Sequence, residues 1–540
     1  MSGMPATNRT EWTRREFMQG VAAMGSCLLG ARALGGRAAA ATSGETPAEA
    51  PLRALLKIDL ERQLGTIDPN IYGNFVEHIG RCIYGGIFDE GSPLADAEGI
   101  RKEVLEAARK LRVTQLRWPG GNFVSGYHWQ DGIGPRATRP VRYDLAWHQR
   151  ESNRFGTDEF IAFCRKLGTE PYICVNLGSG TLDEASAWVE YCNRPAGTYI
   201  ADLRKKNGHP EPYRVKLWGL GNEIYGPWQI GHKDATDYAK AALEFAKVMK
   251  FQDPSIKLVA CGNGNPSWDR PVLEALVRQV DYISAHHYTT TDSLEDYYEI
   301  MGSVAQMEAV IRTSAMTAEA VSGQVRKSPP VAVAFDEWGV LHNWSDGGKR
   351  DDVHKFEVPY NLRDALWVAS AYHALLRNCR MVRLANFAQL VNVIAPIYTT
   401  PTGMLLRAVY YPLELYANRA GKIALEVLAE SPRFETKRFA DQPYLDVLAT
   451  CDEAKRRVAL AVVNRRQEGD VVATVELAGV RAKPGGRAFL ITGTGPEAEN
   501  TFENPRAVAT QEARLDASGG SFEYRFPRHS ISWLEFEVEA

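Results

Sequence analysis

Between residues 67 and 410 the chain repeats one pattern, a short apolar run followed by a segment of helical periodicity. Eight of these runs are predicted to be strands: Tyr72–Glu77, Thr114–Trp118, Tyr172–Asn176, Val215–Gly219, Lys257–Ala260, Tyr282–His286, Val331–Phe335 and Leu384–Ala388. Strands that alternate with helices pair in parallel, because each helix returns the chain to the same edge of the sheet. Eight such units are typical of an α/β fold, the (β/α)₈ TIM barrel.

The helical segments support this interpretation. Val104, Leu105 and Ala108 form one apolar stripe in the segment between the first two predicted strands. The next helical segment begins after Thr157 with Asp158 and Glu159, and acidic side chains are favourable at a helix N-terminus. We therefore predict helices that pack one face against the sheet.

An open, doubly wound sheet is the competing architecture for the same alternation of strands and helices. Such a sheet normally carries a glycine-rich phosphate-binding turn after its first strand. The residues at that point are Gly73-Asn74-Phe75, which do not form such a turn. The barrel is therefore favoured, and a nucleotide-dependent dehydrogenase is excluded.

Beyond residue 410 the pattern changes to short alternating runs separated by Gly, Pro and Asp turns. This is typical of an all-β sandwich of the jelly-roll kind. The alternating run near the N-terminus has no place in an eight-stranded barrel, so we expect it to pair with the sandwich. The predicted domains are an N-terminal strand at 52–66, a catalytic barrel at 67–410 and a β-sandwich at 411–540.

The N-terminus has the organisation of an export signal. Arg14 and Arg15 precede a weakly apolar stretch at 21–34 and small residues at 38–41. The apolar stretch is too short to span a membrane. The surrounding residues resemble the twin-arginine signature, so residues 1–41 are predicted to be a twin-arginine signal peptide that directs the protein to the periplasm or outside the cell. A flexible basic tail with a chance arginine pair is the alternative.

Charge and cysteine content exclude several classes of protein. The formal net charge is −3, which leaves no basic field for nucleic acid or for an anionic membrane. Of the eight cysteines, Cys27 lies in the signal region, where it raises lipid attachment as a weaker alternative. The other seven form no CxxC pair, so we predict buried free thiols without a disulfide framework or structural zinc.

Two glutamates follow predicted strands. Glu223 comes after the fourth strand and Glu337 after the seventh. In a barrel, residues at the carboxyl ends of the strands meet at one mouth, so these two carboxylates should face each other. Cleavage of a glycosidic bond requires two such groups. One carboxylic acid protonates the leaving oxygen, and the second attacks the anomeric carbon or activates water.

Other polar residues follow the remaining strands: Glu77, His78, Arg117, Asn122, Asn176, Ser284, His286, Tyr288, Asn386 and Gln389. His286 and His287 are adjacent in a strand, so they point to opposite faces and cannot bind one metal together. His286 is expected on the face that lines the mouth. Because the chain contains no HxxxH motif and no evident compact cluster of His and Asp, we expect no metal. Cleavage by a pair of carboxyl groups needs no cofactor, so none is expected.

Several long segments resemble the family 51 glycoside hydrolases, the α-L-arabinofuranosidases. They read YGNFVEHIGRCIYGGIFDEGSP, LRWPGGNFVSGYHWQDGIGP, DLAWHQRESNRFGTDEF, WGLGNEIYGPWQIGH and FDEWGV. The resemblance runs from about residue 55 to the C-terminus and is densest over 71–400. Asn74 and Gly339 depart from the family pattern, and residues 302–328 align poorly, which leaves linkage preference open.

Carried over by position, the resemblance implies that Glu223 is the general acid/base and Glu337 the nucleophile of a retaining enzyme. It implies that Arg117 and Tyr288 contact Glu337 and keep it ionised. The predicted substrate-binding residues are Glu77, Arg117, Asn122, Trp147, Asn222, His286, Tyr288 and Gln389. Burial close to the Glu337 anion should raise the pKa of Glu223, so that it carries a proton near neutral pH.

The predicted function is hydrolysis of terminal non-reducing α-L-arabinofuranosyl residues from arabinan, arabinoxylan or arabino-oligosaccharides. The resemblance also implies a homo-oligomer, often a hexamer. A second enzymatic interpretation is an endo-β-1,4-glucanase or β-xylosidase that uses the same barrel and glutamate pair. A non-catalytic carbohydrate-binding protein is the alternative from another class, and the presence of both glutamates disfavours it.

Overall fold

The computed structural model describes residues 51–291, 296–342, 354 and 356–539. The predicted signal peptide, residues 1–41, lies outside the described residues. No helix within the described ranges is long and apolar enough to cross a membrane.

The strands and helices alternate over most of the chain. In the first part the strands are β1 Leu52–Thr66, β2 Gly73–Phe75, β3 Gln115–Trp118, β4 Arg142–Tyr143, β5 Arg150–Glu151, β6 Glu170–Val175, β7 Leu217–Leu220, β8 Lys257–Ala260, β9 Tyr282–Thr290, β10 Ala332–Leu341 and β11 Val382–Ala388. The α-helices are α1 Lys102–Lys110, α2 Thr157–Leu167, α3 Leu182–Asn193, α4 Tyr199–Lys206, α5 Ala235–Gln252, α6 Pro266–Leu276, α7 Tyr297–Gly302, α8 Val304–Gln324, α9 Leu362–Arg377 and α10 Tyr410–Arg419. The remaining strands are β12 Ile397–Thr400, β13 Gly403–Leu406, β14 Ile423–Glu430, β15 Arg433–Phe434, β16 Gln442–Pro443, β17 Leu445–Cys451, β18 Arg457–Asn464, β19 Val471–Ala478, β20 Arg481–Ala482, β21 Arg487–Thr492, β22 Ala509–Arg514, β23 Ser521–Phe526 and β24 Ser530–Glu539.

Eight parallel strands close into a barrel in the order β10-β11-β2-β3-β6-β7-β8-β9. They lie where the eight apolar runs predicted them, so the barrel is confirmed. β9 and β10 extend beyond their predicted ends, to Thr290 and Leu341. β4 and β5 form a hairpin outside the barrel, which the apolar pattern did not predict.

The barrel interior is filled by side chains and is not an open pore. Its apolar cluster contains Val124, Tyr172, Cys174, Leu217, Val259, Tyr282, Ala334 and Leu384. Outside the barrel, α2 packs as predicted: its first turn carries Asp158 and Glu159, and it ends at Gly168, whose φ of +78° is suited to glycine. The seven cysteines after Cys27 are buried and free, as predicted.

Nine strands of the C-terminal part and β1 form one ten-stranded sheet that curls over its own apolar core. β1 joins this sheet as predicted, antiparallel to β14 and parallel to β19. β23 and β24 are far apart along the hydrogen-bonded path, yet the rings of Phe522 and Phe536 lie 5.5 Å apart. The two ends of the sheet therefore face each other like the layers of a sandwich.

Candidate active site

The two glutamates predicted to be catalytic lie together at the mouth of the barrel. Glu223 follows β7 and Glu337 lies in β10, and one carboxylate oxygen of each lies within 4.8 Å of the other. The backbone of Glu223 has a φ of +44°. Non-glycine residues enter this left-handed region at a cost in strain, and such residues cluster at functional sites.

A bulge in β10 decides how its two acidic residues point. Asp336 and Glu337 are neighbours, and regular alternation would send them to opposite faces of the strand. One extra residue interrupts the pairing with β9 between Ala334 and Glu337. Because of this bulge both carboxylates face Arg117, whose Nη1 is 2.5 Å from Glu337 and whose Nε is 3.5 Å from Asp336.

Glu337 is held by the two residues that the resemblance named for it. Arg117 Nη1 donates to Oε1, and the Tyr288 hydroxyl donates to Oε2 over 2.9 Å. Arg117 also donates from Nη2 to Asn222 Oδ1, at 2.7 Å. One guanidinium on the second barrel strand thus fixes side chains from the fourth and seventh.

Glu223 accepts hydrogen bonds from three side chains. Its Oε1 lies 3.0 Å from His286 Nδ1 and 3.1 Å from the Tyr225 hydroxyl, and its Oε2 accepts from Trp228 Nε1 at 3.0 Å. Burial by itself would raise the pKa of Glu223, but the hydrogen bond and charge of His286 outweigh burial and lower that pKa. The prediction of a raised pKa for Glu223 is therefore wrong.

The carboxylates around His286 favour the protonated form of its imidazole. Its side chain is 6% exposed, with Nε2 3.2 Å from Asp336 and Nδ1 3.7 Å from Glu337. Burial alone would lower the pKa of this imidazole, but the charges of Glu337, Asp336 and Glu223 raise it to about 10. The neighbouring His287 points away, and burial lowers its pKa to about 4.

Glu77 is a further carboxyl group of the site, and its side chain accepts three hydrogen bonds. Its Oε1 accepts from Phe123 N at 3.0 Å and from Trp147 Nε1 at 2.8 Å, and its Oε2 accepts from Gln389 Nε2 at 3.2 Å. Burial raises the pKa of Glu77 to about 8. Trp147 belongs to the turn between β4 and β5, so this hairpin reaches into the site.

Glu77, Glu337 and Asn222 converge on Gly121. A Cβ at Gly121 would lie 3.2 Å from Glu77 Oε2, 3.3 Å from Glu337 Oε1 and 3.6 Å from Asn222 Nδ2. The Nδ2 of Asn222 and the Oε1 of Gln389 are buried and have no hydrogen-bond partner among the residues that the structure describes. These atoms leave one donor and one acceptor for a polar ligand such as a sugar hydroxyl.

The structure gathers the predicted site residues around this one mouth. Asn122 is half-buried and precedes Phe123, whose backbone N–H donates to Glu77. Two other strand-end residues serve the fold: Asn176 bonds Tyr127 O, and Asn386 bonds the backbone of the first strand. Sequence reasoning missed three residues that contact the site: Tyr225, Trp228 and Asp336. The first two follow Glu223 within five positions, which was the available signal.

We also predicted that the chain has no compact cluster of histidine and acidic residues, and this prediction is wrong. Single ligand atoms of Glu223, His286 and Glu337 all lie within 4.8 Å of one another, which could hold a metal ion. The three residues are far apart in sequence, so no spacing motif marks them.

A closed barrel whose mouth presents paired glutamates, an arginine-held carboxylate and unpaired amide groups defines a class of protein, the barrel glycoside hydrolases. Comparison with known proteins identifies the family within this class. Residues 107–305 match the model of the α-L-arabinofuranosidase 1 domain, and residues 336–530 match the α-L-arabinofuranosidase C-terminal domain. α-L-Arabinofuranosidase C of Emericella nidulans is 40% identical over 507 residues, which cover 89% of this chain and 97% of that protein.

Solved structures agree. The α-L-arabinofuranosidase of Thermotoga maritima, in complex with arabinose, is 42% identical and superposes with a TM-score of 0.83 over 90% of this chain and 100% of that chain. A family 51 α-L-arabinofuranosidase of Bifidobacterium longum is 36% identical, with a TM-score of 0.85 over 89% of this chain and 99% of its own. The chain belongs to the family 51 α-L-arabinofuranosidases, as its motifs indicated.

Proposed function

We propose that the protein is a retaining α-L-arabinofuranosidase that removes terminal non-reducing α-L-arabinofuranosyl residues from arabinan, arabinoxylan or arabino-oligosaccharides. The approach of the Glu223 and Glu337 oxygens to within 4.8 Å carries the proposal. Retaining glycosidases hold their carboxyl groups about 5–5.5 Å apart, whereas inverting enzymes leave roughly 6.5–9.5 Å for a water molecule.

In the first step Glu337 attacks the anomeric carbon, and the bond from that carbon to the leaving oxygen breaks. The leaving oxygen takes a proton from Glu223. In the second step Glu223 removes a proton from water, the water oxygen bonds to the anomeric carbon, and Glu337 is released as a carboxylate. Asn222 Nδ2 and Gln389 Oε1, both unpaired, would bind sugar hydroxyls.

The proton for the first step resides on His286, one hydrogen bond away from Glu223. The 3.0 Å contact between His286 Nδ1 and Glu223 Oε1 lets that proton pass to the carboxylate as the leaving oxygen approaches. The pair thus supplies one acidic proton although the pKa of Glu223 itself is lowered.

Two variants test the roles. Glu337→Ala should abolish hydrolysis of every arabinofuranoside, because no nucleophile remains. Glu223→Ala should still react with aryl arabinofuranosides that have very good leaving groups, and azide should restore turnover, because only the proton donor is lost. Both are measured as release of the aryl alcohol, with Glu523→Ala, an exposed glutamate of the sandwich, as the matched control.

Equal loss on all substrates in both variants, without azide rescue, would contradict the assigned roles. The substrate is tested with 4-nitrophenyl α-L-arabinofuranoside beside the β-D-xylopyranoside and cellulose. If the enzyme hydrolyses the xyloside or cellulose but not the arabinofuranoside, the two-glutamate mechanism would still hold and the substrate would be a pyranoside.

We also propose export by the twin-arginine route. Arg14 and Arg15 support it, whereas a 41% identical relative from Halalkalibacterium halodurans is named an intracellular exo-α-(1→5)-L-arabinofuranosidase. Replacing both arginines with lysine should retain the protein in the cytoplasm, as measured by immunoblotting of cell fractions. Export that continues unchanged would contradict this route.

A further inference from the structure

His286, Glu223 and Glu337 direct three ligand atoms at one point of the barrel mouth. His286 Nδ1 lies 3.0 Å from Glu223 Oε1 and 3.7 Å from Glu337 Oε2. All three atoms lie within 4.8 Å of one another. We propose that these residues form a binding site for a divalent ion of the zinc class, and that the bound ion inhibits the enzyme by competing with the sugar.

The two distances from His286 Nδ1 to the carboxylates are close to those of a tetrahedral ion, and the distance between the two carboxylates is at most 4.8 Å. Zinc binds histidine nitrogen and carboxylate oxygen at roughly 2.0–2.2 Å, which places neighbouring ligands roughly 3.3–3.5 Å apart. The two contacts of His286, at 3.0 and 3.7 Å, lie on either side of that value. Water would complete the coordination in the fourth position.

The surroundings have the second layer that a zinc site requires. A zinc-bound histidine normally directs its other ring nitrogen at a carboxylate, which fixes the orientation of the ring. His286 Nε2 lies 3.2 Å from Asp336 Oδ1, so this carboxylate is within reach of the ring, although Nε2 makes no hydrogen bond among the described residues. The ligand Glu337 is oriented in turn by the Tyr288 hydroxyl and by Arg117.

The charge balance favours a divalent ion. Glu223, Glu337 and Asp336 are three buried or half-buried carboxylates, and Arg117 neutralises one of them. Zinc would displace the proton of His286 into water, and with His286 then a neutral ligand a charge of −2 remains, which a divalent cation cancels. Magnesium is disfavoured because it requires six ligands, mostly oxygen, whereas an imidazole nitrogen suits zinc and copper.

The site overlaps the place of the reaction, so inhibition should be competitive. The ion would occupy both the acid/base and the nucleophile, and the sugar could not bind there at the same time. Binding itself does not depend on the proposed activity; only the competition with sugar does.

The experiment is calorimetric titration of the full chain with zinc chloride, with and without L-arabinose. We expect one ion per chain, an apparent affinity that arabinose weakens, and inhibition of hydrolysis that EDTA reverses. Magnesium chloride at the same concentration should neither bind nor inhibit. His286→Gln should weaken zinc binding at least tenfold, and Glu337→Gln is a second variant with the same expected loss. Both are checked for folding by circular dichroism.

His128→Gln is the matched control. His128 forms an exposed pair with Glu184 at 3.0 Å and should leave the stoichiometry and affinity unchanged. The proposal is overturned if no saturable site is found at millimolar zinc, or if folded His286→Gln and Glu337→Gln bind zinc as the unchanged protein does. Zinc binding that depends on His286 in a protein without glycosidase activity would reject the proposed function and retain the metal site.

Discussion

Glu77 and Asp336 are buried carboxyl groups of the same barrel mouth, yet their pKa values move in opposite directions. Burial raises the pKa of Glu77 to about 8, because its N–H donors do not compensate the lost water. Burial acts on Asp336 as well, but the charges of Arg117 and His286 outweigh it and lower that pKa to about 2. The neighbouring charges, and not burial alone, decide which carboxyl keeps its proton.

Replacing Glu77 with glutamine should change how stability depends on pH. Between its ordinary pKa of 4.5 and the folded value of about 8, Glu77 ionises in the unfolded chain but not in the folded one. The free energy of unfolding therefore falls as pH rises through this window. Glutamine does not titrate, so the free energy of unfolding of Glu77→Gln should rise relative to that of the unchanged protein as pH increases through this window. The relative rise should be a few kcal/mol, at ~1.4 kcal/mol per pKa unit. Denaturant unfolding at pH 5 and pH 9 measures this.

Glu151 of β5 is the control, because its pKa is lowered whereas that of Glu77 is raised. Burial alone would raise its pKa, but His78, Tyr84 and the backbone of Asn153 lower it. Its contribution to stability is present above the ordinary pKa and is lost as pH falls, so Glu151→Gln should lose relative stability at pH 9 compared with an acidic pH. The same pH trend in both variants would mean that Glu77 is ionised in the folded protein.

The sequence predicted the identity of the site residues better than their electrostatics. Glu223 and Glu337 could be found because each follows an apolar run, and a barrel brings such positions to one mouth. The lowered pKa of Glu223 could not, because it arises from His286, which lies beside Glu223 only in the folded barrel. Asp336 was missed because strand alternation turns it away from Glu337, and a bulge is not visible in apolar periodicity.

Among the secondary-structure elements, the eight barrel strands were predictable and the hairpin β4–β5 was not. Each of its strands has only two residues, and the structure is fixed by polar contacts. Glu151 accepts from His78 at 2.7 Å, and Asp144 accepts from the backbone of Ala146 and Trp147. The first contact joins distant parts of the chain and the others are polar contacts within the turn, so hydropathy reveals neither kind. The hairpin nevertheless delivers Trp147 to Glu77.

Trp147→Phe tests the contribution of this hairpin. The variant keeps an aromatic ring against Phe356 but removes the N–H that donates to Glu77 over 2.8 Å. Because Glu77 is protonated near neutral pH, its hydrogen bond with Trp147 is one between neutral groups, which contributes about 0.5–1.5 kcal/mol. Since Glu77 contacts the sugar in both ground and transition states under the proposed function, KM should rise by about two- to tenfold while kcat changes little.

Trp228→Phe is the matched comparison, because its N–H donates to Glu223 instead. That variant should lower kcat for poor leaving groups more than it raises KM. If Trp147→Phe lowers kcat and leaves KM unchanged, the hairpin acts on the reacting groups and not on sugar binding.

At the scale of the whole molecule, the barrel and the sandwich are joined by an apolar seam with a charged centre. Trp533 of β24 packs edge-on against Tyr416 of α10, with ring centres 5.0 Å apart. Beside them, Asp446 of β17 is buried against Arg377 of α9, at 2.7 Å, and against Arg465. Burial alone would raise the pKa of Asp446, but the two arginines hold it well below its ordinary value.

Asp446→Asn should therefore destabilise the barrel and the sandwich together. Removing one member of a buried ion pair leaves the other charges uncompensated, which costs about 3–5 kcal/mol. Because the pKa of Asp446 is lowered, the stability it provides is present above its ordinary pKa and is lost as pH falls towards the folded value. The difference in unfolding free energy between the unchanged protein and the variant should be large at pH 7 and should shrink in acid.

Asp516→Asn is the control. It breaks a pair whose side chains are 82% and 88% exposed, and it should change stability by less than ~1 kcal/mol at either pH. If Asp446→Asn is as harmless as this control, packing of rings such as Trp533 and Tyr416 suffices to hold the seam, and the charged centre adds no stability.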